Sequence, residues 1–147
     1  MSENLKQWAP LPLRLILGFG FIYHGFPKIS AEGHQSFVGI LTRIHVPAPG
    51  VAAWVAGVVE FVGGIALILG VFVTIASVLL AVDMLVALFK VHWAAGFSFM
   101  NFTGVGPNGP TFGLPGYEVN LLYIAGLLAL ILGGAGALSF ESLRAKK

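Results

Sequence analysis

Three ionisable side chains in this sequence interrupt runs that are otherwise apolar. Glu60 lies at the centre of Val51–Leu69, VAAWVAGVVEFVGGIALIL. His24 and Asp83 lie inside two further runs, Leu13–Ile29 and Phe72–Phe89. A charged group at the middle of a bilayer-length run costs about 2.5–3.5 kcal/mol on insertion scales, so it is usually kept for a task. A buried carboxyl beside an imidazole can exchange protons near neutral pH. Glu60 and His24 are therefore the candidate catalytic pair, and Lys28, one turn beyond His24, would tune Glu60 by its charge. The competing reading is structural: Glu60 and Asp83 pair with His24 and Lys28 only to specify which helices pack together.

Depth can be counted at about 1.5 Å per helical residue. From the centres of the runs, Glu60 falls near the midplane, Asp83 about 3 Å beyond it and His24 about 5 Å. These groups share nearly one layer. Glu118, Asn120 and Tyr123 fall at the outer end of a fourth run, and His92 just past the third. This placement predicts a polar cavity open toward the outer side, with Lys28, Asp83, His92, Glu118, Tyr123 and Trp93 as ligand-binding residues. Trp93, Phe97 and Phe102 would roof it. Arg14 is the exception, near the inner end. For Arg14, Lys28 and Lys90, all near run ends, snorkelling to headgroups is the simpler account. His34 and His45 read as solvated loop residues. No H-x-x-x-H or E-x-x-H pair occurs, so no metal site is expected.

The elements that must hold these groups are helices. Val51–Leu69 matches the roughly 20 residues a helix needs to span a bilayer. Its small residues follow A53-x-x-x-G57-x-x-E60-x-x-x-G64, a stripe that lets a neighbouring helix approach closely. Glu60 on that stripe should face the inside of a bundle. The fourth run, Val119–Leu138, carries Gly126, Ala129, Gly133 and Gly136 down one side. The expected fold is an all-α, antiparallel four-helix transmembrane bundle in a single domain, with spans at 13–29, 51–69, 72–89 and 119–138. Gln35–Ile44 has helical spacing within the first loop. The long segment Lys90–Tyr117 lacks an obvious regular pattern, and its aromatics suit packing at the membrane surface.

Composition sets the class. Of 147 residues, 57% are hydrophobic and 10% charged, with mean hydropathy +0.91. A soluble domain carries about 25% charge, so these charges cannot cover a watery surface. The net charge of +2 and the lack of a basic aromatic patch argue against nucleic acid. There is no cysteine, which removes disulfides, thiolate metal sites and haem attachment through sulfur. Lys6, Arg14, Arg144, Lys146 and Lys147 lie toward one side, and Lys28, Arg43 and Lys90 toward the other. That bias favours cytoplasmic termini in a bacterial inner membrane.

Leu13–Lys28 contains R-L-x-L-G and then Y-H-G-F-P-K, and in this it resembles the first span of the DoxX family of small four-helix membrane proteins. E-x-x-G-G at Glu60–Gly64, followed by L-I-L-G, is similar to its second. G-Y-E at Gly116–Glu118 resembles its third loop, and G-A-G-A-L-S-F-E its ending. Asn120–Leu121 departs from the family, where many members have Pro. The resemblance implies His24, Lys28, Glu60 and Glu118 as functional polar positions; Asp83 rests on depth alone. It also implies kinship with membrane components of oxidoreductase systems, one linked to a thiosulfate:quinone oxidoreductase.

These readings converge on a membrane subunit of a redox system that binds a quinone-like or other small amphiphile. No covalently held cofactor is expected, and a partner protein would bring the electrons. The partners expected are the bilayer, a protein partner or further copies of the chain, and a small amphiphile. Two alternatives stand beside this: a non-enzymatic scaffold holding a partner at the membrane, and a small-molecule or proton transporter.

Overall fold

A computed structural model describes residues 3–144; Lys146 and Lys147, counted above in the basic tail, lie outside the described residues. The chain is mostly helical: α1 (Glu3–Lys6), α2 (Pro10–Ile29), α3 (Ala31–Arg43), α4 (Pro49–Leu69), α5 (Val73–Ala87), α6 (Glu118–Gly133) and α7 (Phe140–Arg144). α5 runs on through a π-helical turn at Leu88–His92 and a 3-10 turn at Trp93–Ala95. Among the described residues, two helices are by length and composition apolar enough to cross a membrane, α4 and the continuous stretch Val73–Ala95. α6 is apolar but shorter.

Prolines near the start of α2 and α4 suit a helix opening, where the missing N–H is no loss. The four long helices close a ring, α2 on α4, α4 on α5, α5 on α6 and α6 on α2. Gly18 meets Gly64 while Lys28 meets Gly57, so α2 and α4 run antiparallel. A Cβ on Gly64 would lie 2.7 Å from the Gly18 carbonyl oxygen, so two backbones touch there with no room for a side chain. Leu17, Phe21, Leu67, Leu80, Leu127 and Leu130 fill the ring. The expected α4 stripe is the buried face: Ala53, Gly57, Glu60 and Gly64, joined by Leu67.

The fourth run departs from expectation. α6 stops at Gly133, and Gly134, at φ 71°, turns the chain away before the anticipated end at Leu138. Ala129 and Gly133 are exposed. The inward face is Asn120, Leu127 and Leu130, because bulky aliphatics rather than glycines fill the space opposite α5. Lys90–Tyr117 is also more regular than its composition indicates. Beyond the π and 3-10 turns it folds a hairpin of β1 (Phe102–Gly106) and β2 (Gly109–Phe112). The first loop holds the helix its spacing predicts, α3.

Candidate functional site

Glu60 is 2% exposed, and its position follows from the stripe around it. Gly57, one turn away, leaves space for the Lys28 stem, whose Cβ lies 2.9 Å from where a Gly57 Cβ would be. Lys28 therefore folds inward along α4 instead of reaching out to headgroups. Its Nζ donates to both Glu60 oxygens, at 2.5 and 2.6 Å. The same ammonium lies 4.7 Å from the Phe37 ring centre on α3, a cation–π contact. From α5, the Asp83 carboxyl lies close enough to Glu60 for the two acids to interact electrostatically.

A cavity of about 230 Å³ opens beside this cluster. Lys28, Glu60 and His24 line it from the α2–α4 side. Asn120 and Tyr123 line it from α6, and His92 from the π turn. His92 Nδ1 bonds the Pro115 carbonyl at 2.9 Å, which fixes the ring against the long connection. Phe99, Pro115 and Gly116 close the cavity on that side. Trp93, Phe97 and Phe102 do not: each is more than half exposed, and Trp93 stacks on Tyr117 at 5.2 Å. A second cleft of about 450 Å³, mostly aliphatic, runs between α3, α4 and α5. Asp83 faces this second cleft, while Lys28, Glu60 and His92 line both.

The structure thus brings together Glu60, Lys28, His24, His92 and Tyr123 around one cavity, with Asp83 behind the ion pair. His24 lines the wall, but the direct partners of Glu60 are Lys28 and Asp83. Glu118 is engaged elsewhere. Its carboxylate accepts the Phe99 N–H at 3.0 Å, and its own N–H bonds the Phe97 carbonyl at 3.0 Å. Gly116 and Tyr117 add bonds to Ser98 and Gly96. G-Y-E is therefore a clasp that folds the long connection back onto the start of α6. Asn120 is a cavity residue that depth counting placed at the right level without assigning it a role.

Arg14 corrects the snorkelling expectation. It is fully buried, and its five N–H donors meet five backbone carbonyls: Leu67 at 2.9 Å, Ile68 at 3.0 Å, Ala135 at 2.7 Å, Ala137 at 3.1 Å and Leu138 at 3.1 Å. Leu67 and Ile68 lie in the last turn of α4, where carbonyls lack the next turn's N–H groups; Leu67 also accepts the Gly70 N–H at 3.2 Å. Gly70, at φ 68°, passes so near that a Cβ would fall 2.7 Å from an Arg14 nitrogen. Glu141 caps α5 by accepting the Val73 N–H at 2.9 Å. R-L-x-L-G, L-I-L-G and the G-A-G-A-L-S-F-E ending are thus one structural knot, far from Glu60.

A family model for DoxX matches residues 9–93, more than half of the chain. The chain belongs to the DoxX family. The matched region runs from α2 through the π turn, and it contains Arg14, His24, Lys28, Glu60, Asp83 and His92. This DoxX chain is also 33% identical over 154 residues to an uncharacterized protein of Haemophilus influenzae, with 99% of each chain covered. No solved structure matches it. Membrane character follows from the family and from the two long apolar helices.

Proposed function

We propose that α2, α4, α5 and α6 all cross the bilayer and that the cavity beside Lys28–Glu60 binds the head group of a small amphiphile, a quinone in the leading case. The observation that carries this reading is the cluster itself: a buried ion pair backed by a second carboxyl, on the wall of a cavity within an apolar bundle. Outward faces support the four spans. Phe19 and Ile16 on α2, Val62 on α4, Ile75 on α5 and Leu122 and Leu132 on α6 are all more than half exposed, a surface suited to lipid. In this reading the chain is the membrane subunit of a redox system in a bacterial inner membrane, with both termini cytoplasmic. Reduction of a quinone takes two electrons and two protons and turns each C=O into C–O–H. The electrons come from a partner oxidoreductase. One proton reaches the ring oxygen beside Glu60 through that carboxyl, recharged from Asp83 or His24, and the other reaches the far ring oxygen from water.

The test is mass spectrometry of the gently purified protein beside complementation of a deletion strain. The reading expects a lipid-soluble ligand on the wild type, lost in Glu60→Gln, which still folds but fails to complement. Full complementation by Glu60→Gln, or a defect that is only unfolding, overturns it in favour of a packing role for the ion pair.

A further inference from the structure

We propose that Asn120 and His92 form a second hydrogen-bonding pole of the cavity, so that it takes a ring-shaped head group bearing an oxygen at each end; this rests on the cavity being a ligand site. Asn120 is 6% exposed, and its single hydrogen bond among the described residues runs from Nδ2 to the Met84 sulfur at 3.8 Å. A carboxamide brings two donors and an acceptor, and a thioether is a weak partner for any of them. Turning the amide over does not mend this, because sulfur can serve only one end. The amide lines the cavity, where a ligand atom can supply the partners that the thioether does not.

His92 points the same way. Pro115 offers only a carbonyl oxygen, so the bonded Nδ1 carries the hydrogen, and in the neutral ring Nε2 is left as an acceptor. The π turn, one residue wider than an α turn, brings this imidazole to the cavity wall. Asn120 and His92 come from the α5–α6 side, opposite Lys28 and Glu60 on α2 and α4. The rest of the lining is mostly apolar, with Phe21, Met84, Phe99 and Val119 beside the polar edges of His24 and Tyr123. Two polar ends and a mostly apolar lining complement a flat ring with para oxygens. About 230 Å³ is small for a whole drug-sized ligand, so it suits the head group alone. Nε2 can only accept and the amide can do either, so this pole prefers a hydroxyl to a carbonyl.

The probes are benzene-1,4-diol and phenol, titrated calorimetrically into the full-length protein in nanodiscs, with empty nanodiscs subtracted. The wild type should bind the diol about tenfold tighter than phenol, as one added hydrogen bond implies. Asn120→Leu should lower that ratio, with only His92 left to accept at this pole, while leaving phenol affinity within about twofold. Asn120→Ser, which keeps a hydroxyl in less volume, covers the case where Leu disturbs folding. It should give an intermediate ratio. Equal affinities in the wild type, or a ratio unchanged in either folded variant, overturn the second pole and leave the site standing. Absence of any binding by the wild type removes the site itself.

Discussion

Replacing Lys28 with Met is the most direct test of what holds Glu60 in place. Met keeps an apolar stem of similar length but removes the ammonium, which lies 2.5 and 2.6 Å from the carboxylate oxygens and over the Phe37 ring. Glu60 is 2% exposed and cannot turn to water, and the group left facing it is a second acid, Asp83. Removing one partner of a buried pair costs about 3–5 kcal/mol. The lower end applies, because the Lys28 side chain is 21% exposed and solvent screens part of the pair. At about 3 kcal/mol, and about 2–4 °C per kcal/mol for a chain of this size, the midpoint should fall by roughly 6–12 °C. Lys28→Met/Glu60→Leu should return to within about 1 kcal/mol of wild type, since a well-packed apolar pair replaces a buried ion pair at little cost. Thermal unfolding in one detergent, on wild type, both single variants and the double variant, reads the cycle. A Lys28→Met midpoint within 1 °C of wild type (about 0.3 kcal/mol by the same conversion), or a double variant as unstable as the single, refutes the argument.

Two further predictions concern the scaffold. Arg14→Lys keeps the charge but cannot reach five carbonyls, so it should lower stability by more than about 3 kcal/mol and reduce the yield of monodisperse protein; an unchanged midpoint would show the knot to be dispensable. Gly64→Ala drives a methyl toward the Gly18 carbonyl oxygen and should cost about 1–3 kcal/mol, whereas Gly39→Ala, with nothing within 4 Å, should be neutral or stabilise α3 by up to about 1 kcal/mol. Parallel thermal melts of the two alanine variants check the contrast.

The order of helices and the face of α4 were legible from the residues alone, because helical periodicity is a local property. One carboxylate on a stripe of Ala and Gly can be read without knowing any neighbour, and the buried face of α4 is that stripe. That Glu60, Asp83 and His24 fall near one level of the bundle was likewise legible, since that level is a count of residues along each helix. Local counting could not choose among side-chain routes. Lys28 and Arg14 look alike near run ends, and long cations there ordinarily reach for water. What separates them from that habit is space and acceptors supplied by distant segments.

Gly57 on α4 makes the room that turns Lys28 inward, and Asp83 arrives from α5 to meet the same carboxyl. Arg14 finds its five carbonyls on the end of α4 and on residues 135–138, more than 120 positions further along the chain for the latter. The end of α6 and the hairpin after α5 depend on the same kind of information. Gly134 turns where its own φ permits, but Ala135 to Leu138 stay there because a guanidinium binds them. A sequence displays hydrophobic period, charge and glycine directly, since each belongs to one residue or one helix. Which donor meets which acceptor is decided only when four helices close around a common interior, because there every buried polar group must find its partner among whatever the fold brings near.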